Sequence, residues 1–203
     1  MGGPTDHRNQ PGSKPSTLCA TLIETSQKFK FDSTMPILNT FSITDDSGFL
    51  AIVNSDKYSP FVNKNWELPE LMKHFVDQMN NEALIIWATG AENEWTVNFV
   101  DKPTDKYDYK KFDKIIEVTN GQLFLTNYED LTMAAQFKED QIPSRHNSSK
   151  NIGLDNGTYN LTIRQLFDPT QNDYELDKIS FEIVVQPTTE QNQKIDKIFW
   201  LTQ

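Results

Sequence analysis

The densest group of chemically capable side chains lies in the stretch DPTQNDYELD, where Asp168, Asp173, Glu175 and Asp177 surround Tyr174. Several carboxylates on one loop are what a hard cation such as Ca2+ requires, but the stretch lacks the glycine and the terminal glutamate spacing of an EF-hand. No metal is assigned to it. An aromatic flanked by acids suits protein recognition instead, because the ring anchors in a pocket of a basic protein while the carboxylates pair with the Lys and Arg around it. The same mixture recurs in TNYEDL, with Tyr128, Glu129 and Asp130, and in GAENEW, with Glu92, Glu94 and Trp95. For each of these the plain alternative is a hydrated turn. The partner-binding candidates are therefore Asp168, Asp173, Tyr174, Glu175, Asp177, Tyr128, Glu129 and Asp130.

Signatures of catalysis are missing from the sequence. There is no glycine-rich phosphate loop, no Gly-x-Ser-x-Gly elbow and no His-Glu-x-x-His pair. The histidines, His7, His74 and His146, are dispersed. His74, between Leu71 and Phe75 in a helical pattern, reads as a helix-surface residue rather than a general base. A carboxylate pair for glycoside chemistry needs a spatial separation that sequence does not give. The expectation is a non-enzymatic chain without a cofactor or metal.

The elements that must position these loops follow from the hydrophobic pattern. ILNTFSITDDSGFLAIV places a turn signal between two apolar runs, which predicts a hairpin. NWELPELMKHFVDQMNN gathers Leu68, Leu71, Met72, Phe75, Val76 and Met79 on one helical face, with Pro69 in the first turn and Glu67 and Glu70 at the positive end of the dipole. ALIIWA, nearly continuous in apolar residues, reads as a central strand, and Trp95, Val97 and Phe99 alternate as a half-buried one. Asn120-Gly121 between IIEV and LFLT is the strongest short-range hairpin signal. TMAAQF, GTYNLTIRQLF, DKISFEIVVQ and DKIFWLTQ read mostly as further strands by their β-branched and aromatic content. Together these predict a mainly β fold, an antiparallel β-sandwich with one amphipathic helix over about residues 67–80.

A chain of 203 residues with 13 Phe, 6 Tyr and 4 Trp is long and apolar enough to bury a sizeable core. Residues 1–16, rich in Gly, Pro and polar side chains, read as a disordered leader, which leaves 17–203 as a single β-sandwich domain. The 29 acidic and 19 basic side chains give a formal charge of −10. That field disfavours direct nucleic-acid binding and anionic membranes, steers a basic protein partner inward, and also serves solubility. Lone Cys19 excludes an intrachain disulfide and fits a reducing cytoplasm. No signal peptide or membrane span is legible.

The succession FDKIIEVTNGQLFLTN, IGLDNGTYNLTIRQLFDP and DKISFEIVV, centred on Gly157 to Thr162 after the turn-forming Asp155-Asn156, resembles the competence nuclease-inhibitor family, the ComJ-like proteins, over roughly residues 83–187. Bacterial immunity proteins look similar in broad respects. The resemblance implies a small, acidic, non-enzymatic β-sandwich that occludes a nuclease or toxin. The competing expectation is a sandwich that binds carbohydrate or another small ligand. A pocket lined by Trp66, Trp87, Trp95 or Trp200 would favour the ligand, and a convex acidic face would favour inhibition.

Overall fold

The structure, a computed structural model, describes residues 37–171 and 178–201. The expected leader over 1–16 and the candidates Asp173, Tyr174, Glu175 and Asp177 lie outside the described residues.

Two sheets make the sandwich. The first has five strands: β1 (Ile37–Asp45), β4 (Asn93–Val100), β9 (Phe181–Pro187), β8 (Gly157–Gln165) and β5 (Lys110–Val118), in that spatial order. The second orders β3 (Leu84–Ala88), β2 (Phe49–Val53), β6 (Gln122–Asn127) and β7 (Asn151–Gly153). Every ladder is antiparallel except β4 with β9, which run parallel. The mainly β sandwich expected from the sequence is present.

The helices explain why strands β2, β3 and β6 carry such unbroken apolar runs. Helix α1 (Leu68–Asn80) packs on β3, and α2 (Tyr128–Gln136) packs on β2 and β6. The second sheet is thus covered on one face by the first sheet and on the other by helices, so both sets of alternating side chains are buried. Of the six residues expected on the apolar face of α1, Leu71, Phe75 and Met79 are buried and Met72 and Val76 half-buried beside them, while Leu68 in the first turn is exposed. Pro69 stands in its first turn and Glu67 at its N-cap, without a side-chain cap bond.

Four local expectations are corrected. The TDDSG turn does not join a hairpin, because β1 pairs with β4 in one sheet while β2 pairs with β3 and β6 in the other. Asn120-Gly121 likewise carries the chain from β5 in the first sheet to β6 in the second. Its geometry is set by Gly121 at φ 69° and by the Gly121 amide donating to Asn156 Oδ1 at 2.8 Å. Strand β3 is an edge strand rather than a central one. Its free side is covered by Phe199, whose carbonyl accepts from the Ala88 amide at 3.0 Å. Finally, TNYEDLTMAAQ contains a helix in place of the expected loop and strand. Asn127 caps it by accepting from the Asp130 amide at 3.2 Å, and Leu131, Ala134 and Ala135 are its buried face.

Candidate functional site

Five chain segments meet at one end of the sandwich: the β1–β2 turn, the β3–β4 turn, the start of α2, the loop after β8, and the C-terminal segment. Asp45, fully buried, holds the first two together. It accepts from the Ser47 and Phe49 amides at 3.1 and 2.9 Å, from Thr89 Oγ1 at 2.8 Å and from Trp95 Nε1 at 3.3 Å. The Thr89 amide donates to the Gly48 carbonyl at 2.8 Å. Gly90 has φ 87°, and a Cβ there would stand 3.2 Å from Pro169 Cγ, so both conformation and space require glycine. That close approach brings the Asp168 loop against the β3–β4 turn. Trp95 continues the contact to Phe167, with centroids 6.4 Å apart.

The start of α2 is fastened to the same turns. Ser47 Oγ donates to Glu129, and Tyr128 stacks on Phe49 with centroids 5.4 Å apart. At this end stand the carboxylates of Asp46, Glu92, Glu129 and Asp168, the first two exposed. Glu94 accepts from Ser42 Oγ at 2.6 Å. The Asp168 carboxyl is held below the usual carboxylate range by the Thr170 amide and hydroxyl, helped by the Tyr109 hydroxyl and Lys110. Lys110 and Lys178 are the neighbouring cations, Lys178 lying 5.5 Å from the Phe167 ring centroid. In the middle is an open depression of about 480 Å³ lined by Gly48, Phe49, Gly90, Glu92, Lys110 and Trp200, among others.

Of the sequence candidates inside the described residues, Asp168 reaches this end as an acid, and Glu129 reaches it with one carboxylate oxygen bonded to Ser47 and the other buried. Tyr128 reaches it as a strut: its ring is half-buried between Phe49 and Phe75, and burial, then Glu129, pushes its phenol pKa up. Asp130 is an internal ligand. Its Oδ2 accepts from Thr126 Oγ1 at 2.9 Å and Asn147 Nδ2 at 2.9 Å, which ties the segment after α2 to the sheet. Of GAENEW, Glu92 lines the depression, while Glu94 stands at the start of β4 and accepts from Ser42 of β1. Asp46 and Lys110 are not legible in the sequence beyond a turn acid and a strand lysine. Trp87 and Trp95 are core residues with no exposure, and of the four tryptophans named from the sequence it is Trp200 that lines this depression, the feature expected of ligand binding rather than of a convex acidic face.

His74 is half-buried rather than on the surface, its ring centroid 5.9 Å from that of Tyr58. A separate cavity of about 630 Å³ lies beside α2 between Met133 and the segment Glu139–His146. Among the described residues no group of three or more His, Cys, Asp or Glu is placed to hold a metal, and no helix is long and apolar enough to cross a membrane.

No known protein family matches the chain, and no curated protein sequence matches it. Two solved structures are similar in fold. One is ComJ of Bacillus subtilis, described as an inhibitor of the DNA-degrading activity of NucA. It is 12% identical, has a TM-score of 0.43, and the match covers 77% of this chain and all of that one. The other is the product of crocagin biosynthetic gene J, 11% identical with a TM-score of 0.48, covering 73% of this chain and 95% of that one. At these identities the likeness is one of fold alone.

Proposed function

We propose that the chain is a non-catalytic inhibitor or immunity-type protein whose acidic turn end occludes a basic site on a partner protein, a nuclease or a toxin. The observation that supports this reading is that Asp46, Glu92 and Asp168 stand on three separate segments tied together at one end by Asp45 and by the Gly90–Pro169 approach, with Glu92 on the wall of the shallow depression there. Carboxylates fixed on a rigid scaffold attract a basic surface before contact and set its orientation on contact. The sequence resemblance to competence nuclease inhibitors supports a nuclease as the partner.

Asp46 and Glu92 are exposed, and among the described residues neither carries a side-chain hydrogen bond that the fold needs, so they test the reading without disturbing it. The tagged chain and its Asp46→Lys/Glu92→Lys variant are used to capture partners from the native lysate at about 0.1 M and about 1 M salt, where the Debye length falls from about 10 Å to about 3 Å. The expected result is a basic protein retained at low salt, released at high salt and lost by the variant, whose hydrolysis of DNA or other toxic activity falls when the chain is added back. Capture of the same proteins by chain and variant, or activity unchanged by the chain, overturns the reading.

A further inference from the structure

The C-terminal segment closes the open side between β3 and β5. Phe199 bridges Trp87 and stacks on Phe112 with centroids 3.8 Å apart. Along this segment runs a groove of about 470 Å³ whose walls are mainly apolar, from Ile195, Phe199, Trp200 and Leu201, with Lys110, Lys194 and Lys197 at its lip and Asp196 among them. Three lysines around an apolar groove invert the charge of a chain whose net is −10.

A second cavity, of about 360 Å³, shares Lys194, Ile195 and Phe199 with the groove and is lined by Lys114, with the carboxylates of Asp113 and Glu190 also on its wall. Lys114 is 4% exposed and occupies a position of β5 on the same face as Phe112 and Ile116, whose side chains are in the core. Its ammonium donates to the Gln193 carbonyl at 2.6 Å, the one hydrogen bond it makes among the described residues. Burial outweighs the pull of Glu82 and lowers its pKa. An ammonium has three donors, and a buried cation with most of them unmet is costly. Trp200 adds a third observation. Its φ of 61° is a left-handed conformation that a bulky residue rarely adopts and that collects at ligand sites. It is held there by an edge contact to Phe112, centroids 5.0 Å apart, and by Lys110, 5.9 Å from the ring centroid.

We propose that the groove and the adjoining cavity together bind a small organic anion with an apolar body, its acid group in the cavity between Lys114 and Lys194 and its body along Ile195, Phe199 and Trp200 of the groove. A neutral apolar molecule leaves the buried ammonium unanswered, and a polyphosphate finds walls with few donors. The site is separate from the acidic turn end: Asp46, Glu92 and Asp168 do not line it, and Lys110 with Trp200 forms the partition between the two. The inference does not rest on the inhibitor reading.

The test titrates the full chain with the fluorescent anion 8-anilinonaphthalene-1-sulfonate, then displaces it with decanoate or with decanol. The expected result is one saturable site, displaced by decanoate and not by decanol, and weakened by about tenfold or more in Lys194→Glu/Lys197→Glu through like-charge repulsion. Both positions are exposed, so the variant should unfold at the same temperature as the parent. Lys114→Met removes the buried charge and is expected to abolish displacement by decanoate. Non-saturable binding, equal displacement by decanol, or an unchanged affinity in the double variant overturns the proposal.

Discussion

A carboxylate surrounded by four donors and no solvent, as Asp45 is, cannot be removed without orphaning its partners. Each donor left buried and unsatisfied costs about 1–3 kcal/mol, so Asp45→Ala is expected to lower stability by about 3 kcal/mol or more, read as a lower urea midpoint at unchanged slope. Because the same side chain sets the turns that carry Asp46 and Glu92, partner capture should fall with it. His74 makes a pH prediction. Burial lowers its pKa below the ordinary 6.5, opposed by the Ser59 backbone and Asp77, while Lys73 adds to the lowering; Tyr58 faces it from the segment after β2. Between the lowered native value and 6.5 the unfolded chain binds a proton that the native chain does not, so unfolding free energy rises with pH through that window. Stability is therefore lost as pH falls below the unfolded value. His74→Phe is expected to flatten that part of the pH profile in thermal melts. At this scale sequence separates residue types and not roles. Glu129 and Asp130 are neighbours in one acidic motif, yet one stands at the acidic end and the other is consumed by Thr126 and Asn147.

The elements that sequence reveals are those whose pattern is set by a single covered face. The stripe of α1 and the alternation of β4 through Trp95, Val97 and Phe99 are of that kind, and both are found as expected. Helix α2 escapes because nine residues hold little more than two turns, and Thr132 within it and Phe137 just after it dilute the helical signal that its Asn127 cap supplies. Another element invisible to pattern is the clamp on the segment between β4 and β5. Arg164, buried at a position of β8 that alternates with the buried residues Ile163 and Gln165, pairs with Asp108 and Glu182 and donates to the Thr104 and Lys106 carbonyls at 3.1 and 2.7 Å. Glu182 has no exposure, so Arg164→Met strands a buried charge and is expected to cost about 3–5 kcal/mol. The double variant Arg164→Met/Glu182→Leu should recover much of that loss. A double-mutant cycle by chemical denaturation checks it, and additive losses would show that the pair does not act as a unit.

For the molecule as a whole, turn signals report that the chain reverses and leave open which sheet receives the next strand. TDDSG and Asn120-Gly121 both mark reversals, and both carry the chain across the sandwich. The parallel pairing of β4 with β9, far apart in sequence, has no local signal at all. The acidic end follows from that topology, since its carboxylates approach one another only because alternate strands deliver their turns to one end. The C-terminal segment completes the arrangement. It protects the edge of β3 through Phe199 and covers Phe112 on β5, and an uncovered apolar strand edge is a template for pairing with another chain. A chain ending at Lys194 is therefore expected to melt at lower temperature and to form larger species with rising concentration in size-exclusion chromatography with light scattering. Phe199→Ala, which keeps the backbone bridge but removes the stacked ring, should cost about 3–5 kcal/mol at most without the association. If the shortened chain melted lower yet stayed the size of the parent, the segment's part would be packing alone, and the β3 edge would owe its protection to α1.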